Sequence, residues 1–332
     1  MSSIKAWPVL GGAGDETAFL EVEREVPELR PHDILVRVRA VSVNPVDTKV
    51  RAGLAAGATR QLGWDAAGVV EAVGPQAQRF RVGDEVYYAG DITRDGTNAE
   101  LHAVDERIVG RHPTTLSWPE SAALPLTAIT AWESLFDHLR LSSTDKGALL
   151  VGGAAGGVGS IMIQLAKALT PNVQVIASAA REESREWALR MGADHVIDRD
   201  DLPTALRAVA PTGVRWIFSP YTRGNLPIYA QLLQPFGAVV AIDEPENQET
   251  LVLKSKSAAL HWELMFARIT NDAEDVAEQG RLLTKVADLI DEGAVRTTLT
   301  RTFEGPVPEA LRQAHAVVAA GGAIGKVAVL LP

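Results

Sequence analysis

The stretch LLVGGAAGGVGSIMIQLAKAL, Leu149 to Leu169, sets five glycines (Gly152, Gly153, Gly156, Gly157 and Gly159) between an aliphatic run and a helical pattern. Leu149, Leu150 and Val151 suit a buried parallel strand, whereas Ile161, Leu165 and Leu169 fall on one face of a helix. A glycine-rich turn between strand and helix lets backbone approach a ligand closely. The helix N-terminus beyond it offers free N–H groups and partial positive charge, which suits phosphate. Taken alone, the glycines could equally serve only to tighten a turn, so the surrounding chain decides.

That surrounding chain has two textures. Residues 1–124 carry short β-like runs broken by glycine and charge: DILVRVRAVSV (33–43), AAGVVEAVG (66–74), VGDEVYYAG (82–90) and AELHAVDERIVG (99–110). Their close spacing predicts a folded-over antiparallel β domain. From about Leu124 strand and helix patterns alternate. ALPLTAITAWESLFDHL reads as helix; VQVIASA (173–179), HVID (195–198), VRWIFSP (214–220) and GAVVAID (237–243) read as strands. Repeated β-α units predict a parallel sheet covered by helices. After about Arg268 an amphipathic helix (274–292), the strand VRTTLTRTF, a further helix and the strand KVAVLL complete the chain.

The fold class expected is therefore α/β, with a β domain at 1–124, a doubly wound parallel sheet at 125–267 and a stretch of mixed texture at 268–332. The length of 332 residues suits about two domains. A formal net charge of −10 without a Lys/Arg cluster disfavours nucleic-acid and anionic-membrane partners. No apolar run approaches membrane-spanning length, and the N-terminal stretch lacks a signal-peptide layout, so a cytoplasmic location is expected. Absence of cysteine excludes disulfides, thiolate metal sites and cysteine nucleophiles.

In its β-α context the glycine turn reads as a variant of G-x-G-x-x-G, Ala154-Ala155-Gly156-Gly157-Val158-Gly159, with alanine first. Gly156 would admit a pyrophosphate, and Gly159 would let helix and strand pack closely. An NAD site ordinarily adds an acidic residue about twenty positions on, to hold the ribose 2′-OH. That place falls at Ala179, which has no carboxylate. Ser178, Arg181 and Arg199 instead offer a hydroxyl and cations suited to a 2′-phosphate, which favours NADPH over NADH. The competing reading leaves Arg181 and Arg185 on a solvated helix face, paired with Glu182 and Glu183.

The motifs VSVNPVDTKVRAG (41–53), LGWDAAGVVEAVG (62–74), RVGDEVYYAG (81–90), ALPLTAITAWESL (123–135), AAGGVG and GGAIGKVAVL, in this order, carry a resemblance along nearly the whole chain. The chain resembles the medium-chain dehydrogenase/reductase superfamily, and within it the zinc-free quinone oxidoreductase (zeta-crystallin-like) branch. The resemblance implies a GroES-like β domain (1–124, completed by 268–332) joined to a Rossmann domain (125–267), with substrate and nicotinamide meeting in the cleft between them. It also implies a homodimer formed through the edges of the Rossmann sheets. Zinc-holding relatives bind a catalytic metal at three positions that here are Asn44, Trp64 and Leu126. Tryptophan and leucine do not ligate zinc, and one amide oxygen is no zinc site.

Without a Lewis acid to support an alkoxide, hydride transfer to a flat conjugated acceptor is the easier chemistry. The expected activity is NADPH-dependent reduction of a quinone or similar conjugated carbonyl. An enone or alkenal double-bond reductase, or a non-catalytic NADPH-binding protein, are the alternatives. By the same resemblance, Asn44, Asp47, Lys49 and Trp64 form the catalytic set. Asn44 would donate to the acceptor oxygen, or serve as the turn former before Pro45; Asp47 and Lys49 would complete a proton path or pair with each other. Thr127, Thr130, Ser219, Ile242 and Lys326 join the turn residues as expected cofactor contacts; Thr127 and Thr130 otherwise read as helix-packing threonines, and Lys326 as a surface strand lysine. By the resemblance HWELMFAR (261–268) lines the substrate mouth or the dimer contact; as an aromatic and methionine group at helical spacing it otherwise belongs to the core.

Overall fold

A computed structural model describes residues 3–14, 17–245, 247 and 249–332. The chain divides into two compact units, Met1–Ile129 with Phe266–Pro332, and Thr130–Met265. The crossing falls inside the helix Pro125–Trp132, which continues as a π-helical turn, Glu133–His138.

The first unit is built on the ten-residue strand Asp33–Ser42.

 Arg37 and Arg39 alone are partly exposed; the other eight residues are buried, because this strand lies inside the sheet. It pairs antiparallel with Ala66–Val73, Leu101–Asp105 and Lys326–Leu330. The sheet runs in the order Leu299–Phe303, Lys326–Leu330, Asp33–Ser42, Ala66–Val73, Glu85–Tyr88, Val109–Arg111. Leu299–Phe303 and Lys326–Leu330 run parallel, so the sheet is mixed where the sequence suggested an antiparallel one. The C-terminal return thus enters the core of this unit. Its register pairs Val329 with Val41 and Ala328 with Ser42; continued two residues further, it sets Lys326 opposite Asn44.

The amphipathic helix of the return spans Ala277–Asp291 and buries Leu282, Leu283, Val286, Leu289 and Ile290. It is anchored where the Tyr87 hydroxyl donates to the Leu283 carbonyl and Arg111 bridges Asp288 and Asp291 at 2.9 and 3.0 Å.

The second unit holds a six-stranded sheet, parallel throughout, in the order His195–Ile197, Val173–Ser178, Gly147–Val151, Val214–Ser219, Leu233–Ala241, Ala259–Trp262. In chain order this is 3-2-1-4-5-6, the doubly wound arrangement whose order reverses beside the first strand. The glycine turn leaves the end of that strand. Aliphatic side chains fill the space between the sheet and its helices, among them Leu150, Ile176, Ile217 and Val239.

Two local expectations change. The fifth strand begins at Leu233 rather than Gly237, with a register irregularity between Val214 and Trp216 and a left-handed Phe236 at φ 61°. The HWELMFAR stretch is not one helical face. His261 and Trp262 end the outer strand Ala259–Trp262, and a helix starts only at Ala267. Met265 and Phe266 are buried, whereas Trp262 is half exposed. Among the described residues, no helix is long and apolar enough to cross a membrane.

Candidate functional site

The glycine turn has the geometry of an anion cradle. Gly156 is the N-cap of the helix Gly157–Leu169. The first intrahelical bond runs from Ser160 N to Gly156 O at 2.9 Å. The N–H groups of Gly157, Val158 and Gly159 precede it and need an outside acceptor. A Cβ on Gly159 would lie 2.6 Å from Ala154 Cα and from Gly153 O, so only glycine lets this helix start so close to the strand end. A Cβ on Gly156 would meet only Gly153 O, at 3.3 Å, and would otherwise fill open space in front of the turn. Gly153 is left-handed at φ 61°, and Ala154 is buried behind the turn. These features fit the pyrophosphate of a dinucleotide.

Beyond the second strand, Ala179 is buried and carries no acceptor for a ribose hydroxyl. Ser178 is buried, with its hydroxyl 3.5 Å from Val151 O. Arg181 is the N-cap of the next helix and reaches Ser184 Oγ at 3.4 Å. Arg185 is turned inward onto the carbonyls of Ala179 and Val196, so it is not the partner of Glu182 or Glu183 that a solvated face would give. Arg199 is exposed, 3.5 Å from Asp200.

Ser219 faces inward. Its hydroxyl meets Tyr229 Oη at 2.8 Å and accepts from Tyr221 N at 2.9 Å. Ile242 follows the next strand and donates its N–H to Ser219 O at 3.3 Å. Asp243, which sequence reading passed over, clamps the two loops together. Its carboxylate accepts from Thr222 N, Thr222 Oγ1 and Arg223 N.

A second cluster lies within the first unit. Asn44 ends the central strand and caps the helix Pro45–Ala52, so the Asn-Pro pair both stops the strand and starts the helix. Its backbone N–H donates to Asp47 Oδ2 at 2.8 Å, and Gly63 N donates to Asp47 Oδ1 at 2.9 Å. Asp47 therefore ties two loops through backbone. Lys49 lies on the exposed face of the same helix. Residues two apart on a helix do not share a face, and Asp47 is buried where Lys49 is exposed.

The Asn44 amide Nδ2 donates to Asp65 Oδ2 at 2.7 Å. Asp65 Oδ1 accepts the backbone N–H of Leu126 at 2.8 Å. The Lys326 ammonium donates to Asn44 Oδ1 and, at 2.9 Å, to the Val43 carbonyl, and lies 3.3 Å from Asp65 Oδ2. These three partners match its three N–H bonds. The sequence reading set Lys326 beside the cofactor; the fold seats its ammonium inside this cluster.

Burial dominates the charge states. It pushes Asp47 up to about 7, opposed by the N–H groups of Asn44 and Gly63 and by Lys326, and reinforced by Asp65. It pushes Asp65 up to about 6, opposed by Lys326, Asn44 and Leu126. Lys326 is lowered by the same desolvation, against the pull of Asp65 and Asp47.

Trp64 is fully buried, edge-to-face with Phe266 at 6.3 Å, and its Nε1–H has no hydrogen-bond partner among the described residues. Thr127 is buried and returns its hydroxyl to Leu124 O at 3.0 Å, a helix-internal bond. Thr130 is buried one turn further on, just before the π-helical turn.

Residues 30–117 match the family model described as "Alcohol dehydrogenase GroES-like domain", and residues 191–329 match "Zinc-binding dehydrogenase". A zinc-type alcohol dehydrogenase-like protein of Staphylococcus aureus is 39% identical over 322 residues, covering 94% of each chain. The 2-methylene-furan-3-one reductase of Solanum lycopersicum is 37% identical over 219 residues, 61% of this chain and 55% of its own length. The crystal structure of a putative zinc-dependent alcohol dehydrogenase protein from Rhizobium etli CFN 42 superposes with TM-score 0.95 at 45% identity, covering 100% of this chain and 99% of its own.

The donor set does not fit the zinc ion in these names. At the three positions where zinc-holding relatives carry ligands, the Asn44 oxygen already accepts from Lys326, Trp64 presents an indole N–H, and Leu126 presents an alkyl chain. Among the described residues, no group of three or more His, Asp or Glu side chains is arranged to hold a metal. By its two matched domains and its relatives, the chain belongs to the medium-chain dehydrogenase/reductase family of oxidoreductases.

Proposed function

We propose that this oxidoreductase is an NADPH-dependent reductase that delivers hydride to a quinone or similar conjugated carbonyl acceptor without a metal. The observation that carries this reading is the Asn44–Asp65–Lys326 cluster, which fills the place of a metal site with hydrogen-bond donors and an ammonium. Such a site supports negative charge developing on a delocalised oxygen, but lacks the Lewis acid that alcohol oxidation needs. When bound, the reduced nicotinamide supplies the hydride, and a proton from solvent completes the reduction. The glycine turn holds the pyrophosphate, and Arg181 and Arg199 favour the 2′-phosphate. Asn44 holds the acceptor oxygen.

A second reading, reduction of an enone or alkenal double bond, is favoured by the tomato relative, whose name describes an exocyclic enone reductase. It uses the same cofactor site and the same oxygen donor. Steady-state NADPH oxidation with matched ortho-quinone and enone acceptors separates the two. NADPH binding without turnover of either acceptor would leave a non-catalytic role and overturn both readings.

The assembly we propose is a homodimer formed by the outer strand Ala259–Trp262, whose free edge and half-exposed Trp262 suit pairing with a second copy. Light scattering at twice 35.5 kDa is the expected result, and a 35.5 kDa particle at working concentration contradicts it.

A further inference from the structure

We propose that Lys326 is a positioning residue for the reduction: its buried ammonium fixes the Asn44 side-chain amide so that one Nδ2–H remains to bind the acceptor oxygen. This inference rests on the reductase reading above and extends it to a residue at the far end of the chain.

The two ends of an Asn amide are sorted by their partners. An ammonium donates and cannot accept, and a carboxylate accepts and cannot donate. Lys326 on one side and Asp65 on the other therefore fix which end is oxygen and which is nitrogen. Asn44 Nδ2 carries two hydrogens. One goes to Asp65, and the second has no acceptor among the described residues. Without both partners the amide is free to flip, turning its oxygen toward the incoming acceptor; without the lysine alone, Asp65 still holds the nitrogen end, but the charge that polarises the oxygen is gone.

Lys326 has no freedom to do otherwise. The antiparallel register delivers it opposite Asn44, and the Val43 carbonyl takes one of its N–H bonds at 2.9 Å. The Asp65 carboxylate, held by Leu126 N, supplies the countercharge. The ammonium thus occupies the neighbourhood that zinc-holding relatives give to their metal. It polarises the Asn44 amide through a direct bond, which strengthens the remaining Nδ2–H as a donor.

The test compares wild type with K326M and with K326M/D65N, the second removing both buried charges so that neither is left unpaired. NADPH affinity is measured by fluorescence titration, and turnover is measured with an ortho-quinone. The expected result is a kcat about 10²-fold lower in both variants, the size of loss typical for one donor at a developing oxyanion, with NADPH Kd unchanged. A weakened NADPH Kd with preserved kcat would overturn the proposal and return Lys326 to the cofactor. Unchanged kinetics would overturn it as well.

A readout independent of turnover separates this proposal from the reductase reading. In 15N-labelled protein, the Asn44 side-chain NH2 should give two distinct, slowly exchanging proton signals. In K326M, which leaves Asp65 in place, they should shift and exchange with solvent clearly faster. Wild type inactive with every acceptor but showing that change overturns the reductase reading and leaves the positioning intact. Signals that stay fixed in the variant overturn the positioning whatever the activity.

Discussion

The Lys326 ammonium lies 3.3 Å from the Asp65 carboxylate, and their side chains are 5% and 0% exposed. A buried pair of this kind is costly to break from one side, because the survivor keeps its desolvation penalty without its partner. Asp65→Asn should cost about 3–5 kcal/mol of unfolding free energy. Removing both charges should cost clearly less. Urea unfolding of D65N, K326M and K326M/D65N, treated as a double-mutant cycle, measures the difference. Additive single costs would show that the two groups do not interact.

The glycine turn separates a packing role from a binding role. Gly159→Ala drives a Cβ against the backbone of Gly153 and Ala154 and should cost about 1–3 kcal/mol of stability. Gly156 has φ −74°, which any residue adopts, and open space in front of it. Gly156→Ala should fold normally and weaken NADPH binding by about 10-fold or more, because the new methyl stands where phosphate approaches. Thermal melts and NADPH titrations of both variants decide this, and equal effects on stability would refute it.

Arg181 and Arg199 are proposed to hold the 2′-phosphate. The double substitution Arg181→Ala, Arg199→Ala should raise the KM for NADPH by about 10- to 100-fold, as expected for lost hydrogen bonds to a charged group. The KM for NADH should barely move. Parallel kinetics with both cofactors report the ratio, and an equal change for the two would remove these residues from the 2′-phosphate.

His315 is buried against the Phe19 ring at 4.8 Å, and neither of its ring nitrogens has a hydrogen-bond partner among the described residues. Burial, with the Arg51 charge, lowers it from 6.5 to about 3. The unfolded chain therefore binds this proton near pH 6.5, while the folded chain resists until about pH 3. The stability involved is present above pH 6.5 and is lost as pH falls toward 3. His102 shifts in the same direction, to about 4. Asp47 has the opposite sign. Raised to about 7, it favours the fold below pH 4 and loses that contribution as pH rises toward 7. His315→Phe should flatten the acid arm of a stability–pH curve without touching the neutral arm. An unchanged acid arm would mean that His315 does not contribute to it.

Much of this architecture is legible in the chain. The run from Leu149 to Val151 and the glycines after it identify a strand, turn and helix because backbone proximity leaves glycine no substitute. The parallel sheet follows from β-α alternation, as periodicity is a local property. Pairing across the chain is not local. That Lys326 would face Asn44 depends on the register of a strand joined only after the second unit intervenes, and no pattern around GKVAVL announces it. The resemblance offered Lys326 as a cofactor contact and said nothing of Asn44, to which the register carries it. HWELMFAR misled for a related reason, since four or five apolar residues at mixed spacing suit a buried helix and a strand end alike. The π-helical turn at Glu133–His138 left no sequence signal at all.

The proposed activity is reduction of a conjugated acceptor with NADPH and without metal. Loss of NADPH absorbance with an ortho-quinone, in protein dialysed against EDTA and repeated with added zinc and with NADH, tests it most directly. Rapid oxidation in EDTA, unchanged by zinc and faster with NADPH than with NADH, is the predicted result. Activity that appears only with zinc would contradict it.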